Sequence, residues 1–291
     1  MTEAAVALAA GAARLAIARR GAEAIAWSVG DVELLWPGDP AIWSEISPIL
    51  YPVVGWTRDG ARVGGRQYPL RLHGFAASEG FAVETAGGAF ARLSLRDNAK
   101  TRALYPFAFE FAVEYRLAGA ALEIALEVAN PGDAPAPYAC GLHPGFRWPF
   151  AGAGRVGAVV RFDKDESAHA PVIAPGGLIS ERTRVIPLEG KTLTLDDQLF
   201  ASDAVCFLEP ASRSLRFEQA DGSAIEMDFS GFGKAALWTR PGAPFLCLEA
   251  WTGYSDPEGF AGDLFEKPAM RALAPGGRAR HRAVYRYFAA A

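Results

Sequence analysis

The sequence has only three cysteines and four histidines among its 291 residues. Cys140, Cys206 and Cys247 stand in unrelated contexts and form no CxxC pair, so neither a zinc site nor a thioredoxin-type redox motif is expected. We interpret these thiols as small buried residues in a reducing compartment. Their pattern therefore indicates a cytoplasmic protein.

The sequence also lacks an excess of positive charge and a long apolar segment. It has 29 Lys and Arg against 33 Asp and Glu, a formal net charge of −4, so no basic field is available for nucleic acid. No uninterrupted apolar run approaches the roughly 18–20 residues of a membrane span. The chain starts Met1-Thr2-Glu3, with an acid where a secretory leader is basic. We therefore expect neither nucleic-acid nor membrane partners. For the oligomeric state, either a monomer or a homodimer is expected.

Several motifs that would indicate a particular chemistry are missing. The P-loop, the HExxH metalloprotease motif and the GxSxG nucleophile motif do not occur. The acidic stretches at 163–166 and 196–197 lack the ligand spacing of an EF-hand. The sequence therefore gives no support for a nucleotide hydrolase, a zinc protease or a serine hydrolase.

The strongest pattern in the sequence is an alternation of apolar and polar residues. Residues 109–117 and 122–128 both alternate, which predicts a β-hairpin with one buried and one wet face. Residues 215–218 and 225–229 alternate around Asp221-Gly222, a pair suited to a tight turn. These patterns predict two antiparallel hairpins.

Helical periodicity is scarce elsewhere as well. In the Ala-rich first 25 residues Leu15 and Ile17 alternate, and Gly21 can form a turn, so strands are favoured there too. Many short strands with frequent turns predict an all-β fold, a large two-sheet antiparallel β-sandwich forming one domain over residues 1–291. Curved sheets of this size leave a concave face of a shape common in carbohydrate-binding proteins.

The four histidines differ in their sequence context. His169 lies in a charged stretch and His281 among arginines, so both are expected to be solvated. His73 precedes Gly74, and His143 lies between Gly141 and a Pro-Gly pair. Such interruptions of regular backbone either aim the imidazole at a site or simply end a strand, and the local sequence does not decide between these.

Glu249 is the most unusual carboxylate of the sequence. It follows the apolar run Pro244–Leu248 and precedes Ala250-Trp251. A buried acid is costly unless it is paired or used, and burial raises its pKa toward that of a general base. The alternative is an exposed strand end.

These residues lie in segments that resemble the aldose 1-epimerase (mutarotase) superfamily, and specifically its LacX-like branch. The similar segments occur in the family's order and span most of the chain. They are 36–43 with 47–55, Tyr68-Pro69-Leu70 with His73-Gly74-Phe75, Tyr105-Pro106-Phe107, His143-Pro144-Gly145-Phe146, and Leu248-Glu249-Ala250-Trp251 with Gly253.

The resemblance implies the galactose mutarotase-like sandwich and interconversion of the α and β anomers of a sugar, without a cofactor or metal. One group removes the proton of the C1 hydroxyl and another protonates the ring oxygen, from opposite sides of the C1–O5 unit. By resemblance, Glu249 is the base, His143 is the acid and His73 binds the sugar. Further substrate contacts are expected from Trp251, Phe75, Asp203 and Arg58, with ordinary core packing as the alternative for the two aromatic residues.

The sequence departs from the family at two points. Many members carry an Asn-Arg pair where this chain has Val54-Gly55-Trp56, and Arg58 or Arg102 is the candidate substitute. Gly145 replaces a bulky residue of many relatives, which is expected to widen the pocket.

Four functions remain open at this point. They are epimerisation of a free aldose, mutarotation of a hexose 6-phosphate, sugar binding without catalysis, and polysaccharide cleavage. Crowding of arginines at 58, 62, 66 and 71 is the feature that would serve a phosphate.

Overall fold

The computed structural model describes residues 6–152 and 154–290. The start Met1-Thr2-Glu3, on which the expectation of no secretory leader rests, lies outside the described residues. Within them the structure has 26 strands, one short α-helix, α1 (Ala99–Leu104), and two 3₁₀ helices at Ala76–Ser78 and Gln198–Phe200.

The strands of the first half are β1 (Val6–Ala10), β2 (Ala13–Ile17), β3 (Ala24–Val29), β4 (Val32–Glu33), β5 (Ile49–Leu50), β6 (Ala61–Val63), β7 (Arg66–Tyr68), β8 (Ala82–Gly87), β9 (Phe90–Arg96), β10 (Glu110–Ala118), β11 (Ala121–Ala129), β12 (Ala136–Tyr138) and β13 (Gly141–Leu142). Those of the second half are β14 (Gly145–Arg147), β15 (Val159–Phe162), β16 (His169–Ala174), β17 (Leu178–Val185), β18 (Leu188–Glu189), β19 (Thr192–Thr194), β20 (Val205–Phe207), β21 (Ser214–Glu218), β22 (Ala224–Asp228), β23 (Lys234–Trp238), β24 (Phe245–Trp251), β25 (Arg271–Leu273) and β26 (Arg278–Phe288).

Two large antiparallel sheets dominate the fold. The first has ten strands in the order β18-β19-β15-β21-β22-β26-β11-β10-β9-β8. The second has the order β20-β23-β24-β13-β5, with β14 also paired to β24. A four-stranded sheet, β1-β2-β3-β4, and three two-stranded sheets complete the described part of the chain. The all-β prediction and the two-sheet sandwich are therefore confirmed.

The core lies between the two large sheets. Phe146 of β14 packs against Tyr285 of β26 with ring centroids 5.4 Å apart, and the Tyr285 hydroxyl donates to the Leu248 carbonyl of β24. One hydrophobic cluster includes buried side chains from β1 to β26. The extension of this single domain to all of residues 1–291 stays a prediction.

The predicted hairpins are present with their turns in place. Strands β10 and β11 pair throughout, from Glu110 opposite Ala129 to Ala118 opposite Ala121, and β21 pairs with β22 across the Asp221-Gly222 turn. Strand β2 pairs with β3, and Gly21 lies in their connection with φ +68°. The alternation was a sufficient signal because each strand has one face toward the core.

The expectation for His281 is wrong. Its neighbours Arg280 and Arg282 are exposed on one face of β26, whereas His281 points to the other face and is 5% exposed. Its ring lies within hydrogen-bond distance of the Tyr138 hydroxyl and the Gly231 carbonyl. His169 is exposed, as expected. No helix of the described residues is long and apolar enough to cross a membrane.

Candidate active site

Strand β24 separates the core from a cavity because its side chains alternate. Leu246, Leu248 and Ala250 belong to the main hydrophobic cluster. Glu249 and Trp251 point to the other face and line the cavity. The indole Nε1 of Trp251 donates to Glu249 Oε2 at 3.0 Å, as the shared face of residues two apart allows.

The cavity has a volume of about 310 Å³ and lies on the side of the smaller sheet that faces away from the core. It is lined by Glu249, His143, His73 and Trp251 together with residues from distant parts of the chain. This volume falls at the lower end of the roughly 300–1,000 Å³ of small-molecule sites. Four of the residues singled out in the sequence therefore meet at one concave site.

Glu249 is buried at the cavity wall, with 1% of the residue exposed. Its Oε2 lies 3.3 Å from His143 Nε2, in addition to the bond from Trp251. Burial raises the pKa of the Glu249 carboxyl well above its usual range, and the nearby Asp203 acts in the same direction. The environment therefore favours the protonated carboxyl more strongly than water does.

His143 lies in the break between β13 and β14. Its backbone N–H donates to the Pro48 carbonyl, and the Pro144 carbonyl accepts from Leu248 of β24. Its imidazole is placed between Trp43, at 5.3 Å, and Trp238, at 5.7 Å between ring centroids. The irregular Gly and Pro context thus aims the ring into the cavity.

The protonation of His143 is governed by the same burial. Burial lowers the pKa of His143 well below its usual range, and the nearby His73 lowers it further. His143 Nδ1 has no hydrogen-bond partner among the described residues. The polar contact of the ring is therefore the one between Nε2 and Glu249 Oε2.

His73 adopts a left-handed backbone with φ +60°. Its Nδ1 accepts a hydrogen bond from the Gly55 N–H at 3.0 Å, and burial lowers the pKa of His73 to about 4. A neutral imidazole that accepts at Nδ1 carries its proton on Nε2. His73 is therefore a hydrogen-bond donor at the cavity, with its ring centroid 5.4 Å from that of His143.

Of the remaining expected site residues, Asp203 lines the cavity, whereas Phe75 and Arg58 do not. Phe75 is 4% exposed and packs edge-on against Tyr51, with centroids 6.1 Å apart, so it is a core residue. The Arg58 side chain is half exposed and lies 3.8 Å from Asp59. Phe75 directly follows His73-Gly74 in the sequence, and this proximity led to the wrong expectation that it contacts the sugar.

The structure adds residues that sequence reasoning did not assign to the site. Among them are Trp43, Glu45, Trp238 and Arg240. Trp43 stands in a segment used for the family resemblance, which was the available signal. Nothing local distinguishes Arg240, an exposed residue, from other surface arginines.

Gly145 does not widen the pocket. A Cβ built at this position would lie 2.8 Å from the ring of Trp43 and 3.4 Å from Trp36 Cβ. The missing side chain makes room for the Trp43 indole, which lines the cavity. The expectation from sequence was wrong because it could not show which distant ring occupies the space.

No group of three or more His, Cys, Asp or Glu among the described residues is arranged to hold a metal ion. The side chains that line the site include the carboxyls of Glu45, Asp203 and Glu249, the imidazoles of His73 and His143, and hydrogen-bond donors. Residues of these types are suited to proton transfer.

Comparisons with known proteins show the family of this chain. The sequence model of the aldose 1-epimerase family matches residues 5–285. The plasmid-encoded protein LacX of Lactococcus lactis subsp. lactis is 32% identical over 256 residues, which cover 84% of this chain and 86% of that protein. The chromosomal LacX of the same organism matches to the same extent.

Solved structures show the same fold over nearly the whole chain. A galactose mutarotase related enzyme from Lactobacillus acidophilus superposes with a TM-score of 0.90 at 25% identity, covering 99% of this chain and 98% of that one. A galactose mutarotase-like protein from Lactobacillus casei superposes with a TM-score of 0.91 at 25% identity, covering 98% and 100%. Because the family model matches nearly the whole chain and the LacX proteins are 32% identical over most of it, the chain belongs to the aldose 1-epimerase family.

Proposed function

We propose that this protein is a mutarotase that interconverts the α and β anomers of a free aldose. The observation that carries the proposal is the 3.3 Å contact between Glu249 Oε2 and His143 Nε2 inside the cavity. The reaction needs one group that takes a proton from O1 and one that gives a proton to O5, and these oxygens are bonded to the same carbon.

The pair can share one proton in two arrangements. Burial favours neutral Glu249 with neutral His143, whereas transfer of the proton to the imidazole produces a carboxylate beside an imidazolium. The second arrangement has the base and the acid ready together, without a change in the total number of protons. A sugar would replace the contact between Glu249 and His143 by one hydrogen bond to each of its two oxygens.

The proposed reaction then proceeds by ring opening. Glu249 takes the proton of O1 while His143 gives a proton to O5, the C1–O5 bond breaks, and an aldehyde and a free hydroxyl form. Rotation about C1–C2 presents the other face of the aldehyde, and the reverse proton transfers close the ring. His73 Nε2–H donates to a sugar oxygen, and the rings of Trp43, Trp238 and Trp251 offer apolar surfaces for the sugar's C–H face.

A free sugar is favoured over a hexose 6-phosphate. Arg240 is the single Lys or Arg side chain lining the cavity in the described part of the chain, and Glu45, Asp203 and Glu249 line it as well. Binding of a dianionic phosphate is better served by several converging cations. The arginines at 58, 62, 66 and 71 do not line the cavity, so we assign Arg240 to sugar hydroxyls in place of the missing Asn-Arg pair.

Anomer interconversion of freshly dissolved α-glucose and α-galactose, followed by polarimetry or exchange NMR, tests the proposal. Acceleration well above the spontaneous rate is expected, with a lower kcat/KM for glucose 6-phosphate. Titration of the same sugars by calorimetry separates the alternatives, because binding without acceleration would indicate the non-catalytic sugar-binding protein. Release of aryl alcohol from aryl glycosides, which a polysaccharide-cleaving enzyme would show, is expected to be absent.

A further inference from the structure

A buried ion pair lies behind the cavity wall and has no part in the proton transfers described above. Lys267 Nζ lies 2.5 Å from Asp256 Oδ1, and the two side chains are only 1% and 3% exposed. Burying two charges costs free energy that an apolar pair of similar volume would not, so this pair is poor evidence for stability alone. Its contacts indicate what else it does.

The pair binds the segment 55–58 at three points. Asp256 Oδ2 accepts from the Arg58 backbone N–H at 2.7 Å, and the Asp256 N–H donates to the Trp56 carbonyl at 2.9 Å. Lys267 Nζ lies 3.5 Å from the same carbonyl. The side-chain carboxylate and the backbone N–H of Asp256 therefore both hold the segment 55–58 in one conformation.

The segment 55–58 in turn holds His73. The Gly55 N–H donates to His73 Nδ1 and the His73 N–H donates to the Gly55 carbonyl, each at 3.0 Å. Gly55 has φ +73°, and a Cβ there would lie 2.1 Å from Ser255 Oγ. Ser255 Oγ also accepts from the Trp56 N–H at 3.0 Å. A continuous set of contacts therefore leads from Lys267 to the imidazole of His73.

We propose that the Lys267–Asp256 pair is a positioning element that holds the segment 55–58 so that His73 keeps its Nε2–H donor directed to the site. A neutral imidazole chooses between two tautomers, and the hydrogen bond made by one nitrogen decides which nitrogen carries the proton. Without the Gly55 N–H at Nδ1, part of the population carries the proton on Nδ1 and presents an acceptor instead. The role of the donor in sugar binding rests on the proposed function, whereas the tautomer itself does not.

The test replaces both charges together. In the double variant Lys267→Met with Asp256→Leu no orphan charge remains buried, and the acceptor for the Arg58 N–H is removed. We expect a folded protein in which the imidazole ¹⁵N spectrum of His73 changes from the Nε2–H tautomer to a mixture. We also expect KM for the sugar to rise about tenfold with a smaller change in kcat, the size of one lost hydrogen bond. Lys267→Met with Asp256→Asn is the second variant; it also leaves no buried charge but keeps an amide oxygen as acceptor, so it should shift both readouts in the same direction by less.

A matched control removes ion pairs elsewhere. Arg92→Met breaks contacts with Glu84, Glu114 and Glu127 on the ten-stranded sheet and should leave the His73 spectrum and KM unchanged. In a His73→Asn background the Lys267/Asp256 double variant should cost little further kcat/KM, since it acts through His73. Full additivity of the two losses would overturn the positioning role.

The outcomes separate this inference from the proposed function. An unchanged His73 tautomer and unchanged KM in the folded double variant would overturn the inference even if the wild type is an active mutarotase. If the wild type accelerates no sugar, the proposed function fails, and the tautomer measurement alone decides whether the pair positions His73.

Discussion

Glu249 Oε2 and His143 Nε2 lie 3.3 Å apart, and both groups are shifted toward their uncharged forms by the same burial. Glu249 lies on β24, and His143 lies in the break between β13 and β14. Both β13 and β14 pair with β24 in one sheet. Because each group can hold the proton that the other releases, the pair is a proton-transfer unit rather than two independent residues. The first predictions test this unit.

Glu249→Gln should lower kcat by about 10²–10⁴-fold, because the amide cannot take the O1 proton. The change keeps the volume and the acceptor for the Trp251 indole, so the thermal midpoint should stay near that of the wild type. Exchange NMR of anomer interconversion measures the rate. Glu226→Gln on β22, a half-buried site loosely paired with Arg286, is the control and should retain full activity. An active Glu249→Gln enzyme would remove the base assignment.

The pH dependence of kcat/KM should be bell-shaped with a broad top. Burial lowers the pKa of His143 and raises that of Glu249, so the form with one shared proton persists over a wide range around neutrality. A second proton at low pH blocks the base, and loss of the shared proton at high pH removes the acid. In His143→Asn the rate should be lower, and the decline at high pH should disappear. A profile of that variant that still falls at high pH would contradict the shared-proton assignment.

The stability of the protein should fall between about pH 6.5 and pH 4 through His73. Its pKa is lowered by burial to about 4, so the unfolded chain binds this proton at a higher pH than the folded protein does. The stabilisation is therefore fully present above about 6.5 and lost as the pH falls through 4. The expected contribution is about 3 kcal/mol. Urea unfolding at several pH values measures it, and His73→Asn should show a correspondingly flatter dependence.

Gly145→Ala should impair the site without touching a group that transfers protons. The added Cβ would lie 2.8 Å from the Trp43 ring, so the indole must move toward the cavity. We expect a loss of stability of about 1–3 kcal/mol and a higher KM. Tryptophan fluorescence and sugar kinetics are the measurements. The control Gly87→Ala, on β8 with open space around the added Cβ, should leave KM unchanged. A normal KM in Gly145→Ala would show that the position of Trp43 is unimportant for the sugar.

Part of the candidate site was predictable because its residues carry local signals. The acid after an apolar run at Glu249, and glycine and proline beside His73 and His143, singled these residues out but left alternatives open. The resemblance to the aldose 1-epimerase family then assigned their roles. Phe75 and Arg58 were predicted to contact the sugar because they lie near other candidate residues in the sequence. The side chains of adjacent loop residues, however, point in different directions. Arg240 and Glu45 reach the cavity from loops whose sequences look like ordinary surface.

The sequence by itself determined the strands, the two hairpins and the family, because side-chain alternation and short motifs are properties of neighbouring residues. Only the tertiary structure decided which histidines meet Glu249, that Trp43 fills the space beside Gly145, and that Lys267 lies under the segment that holds His73. These relationships join residues up to about 200 positions apart, as the bond from Arg58 to Asp256 does. Distances of this kind follow from how sheets stack, which no local pattern records.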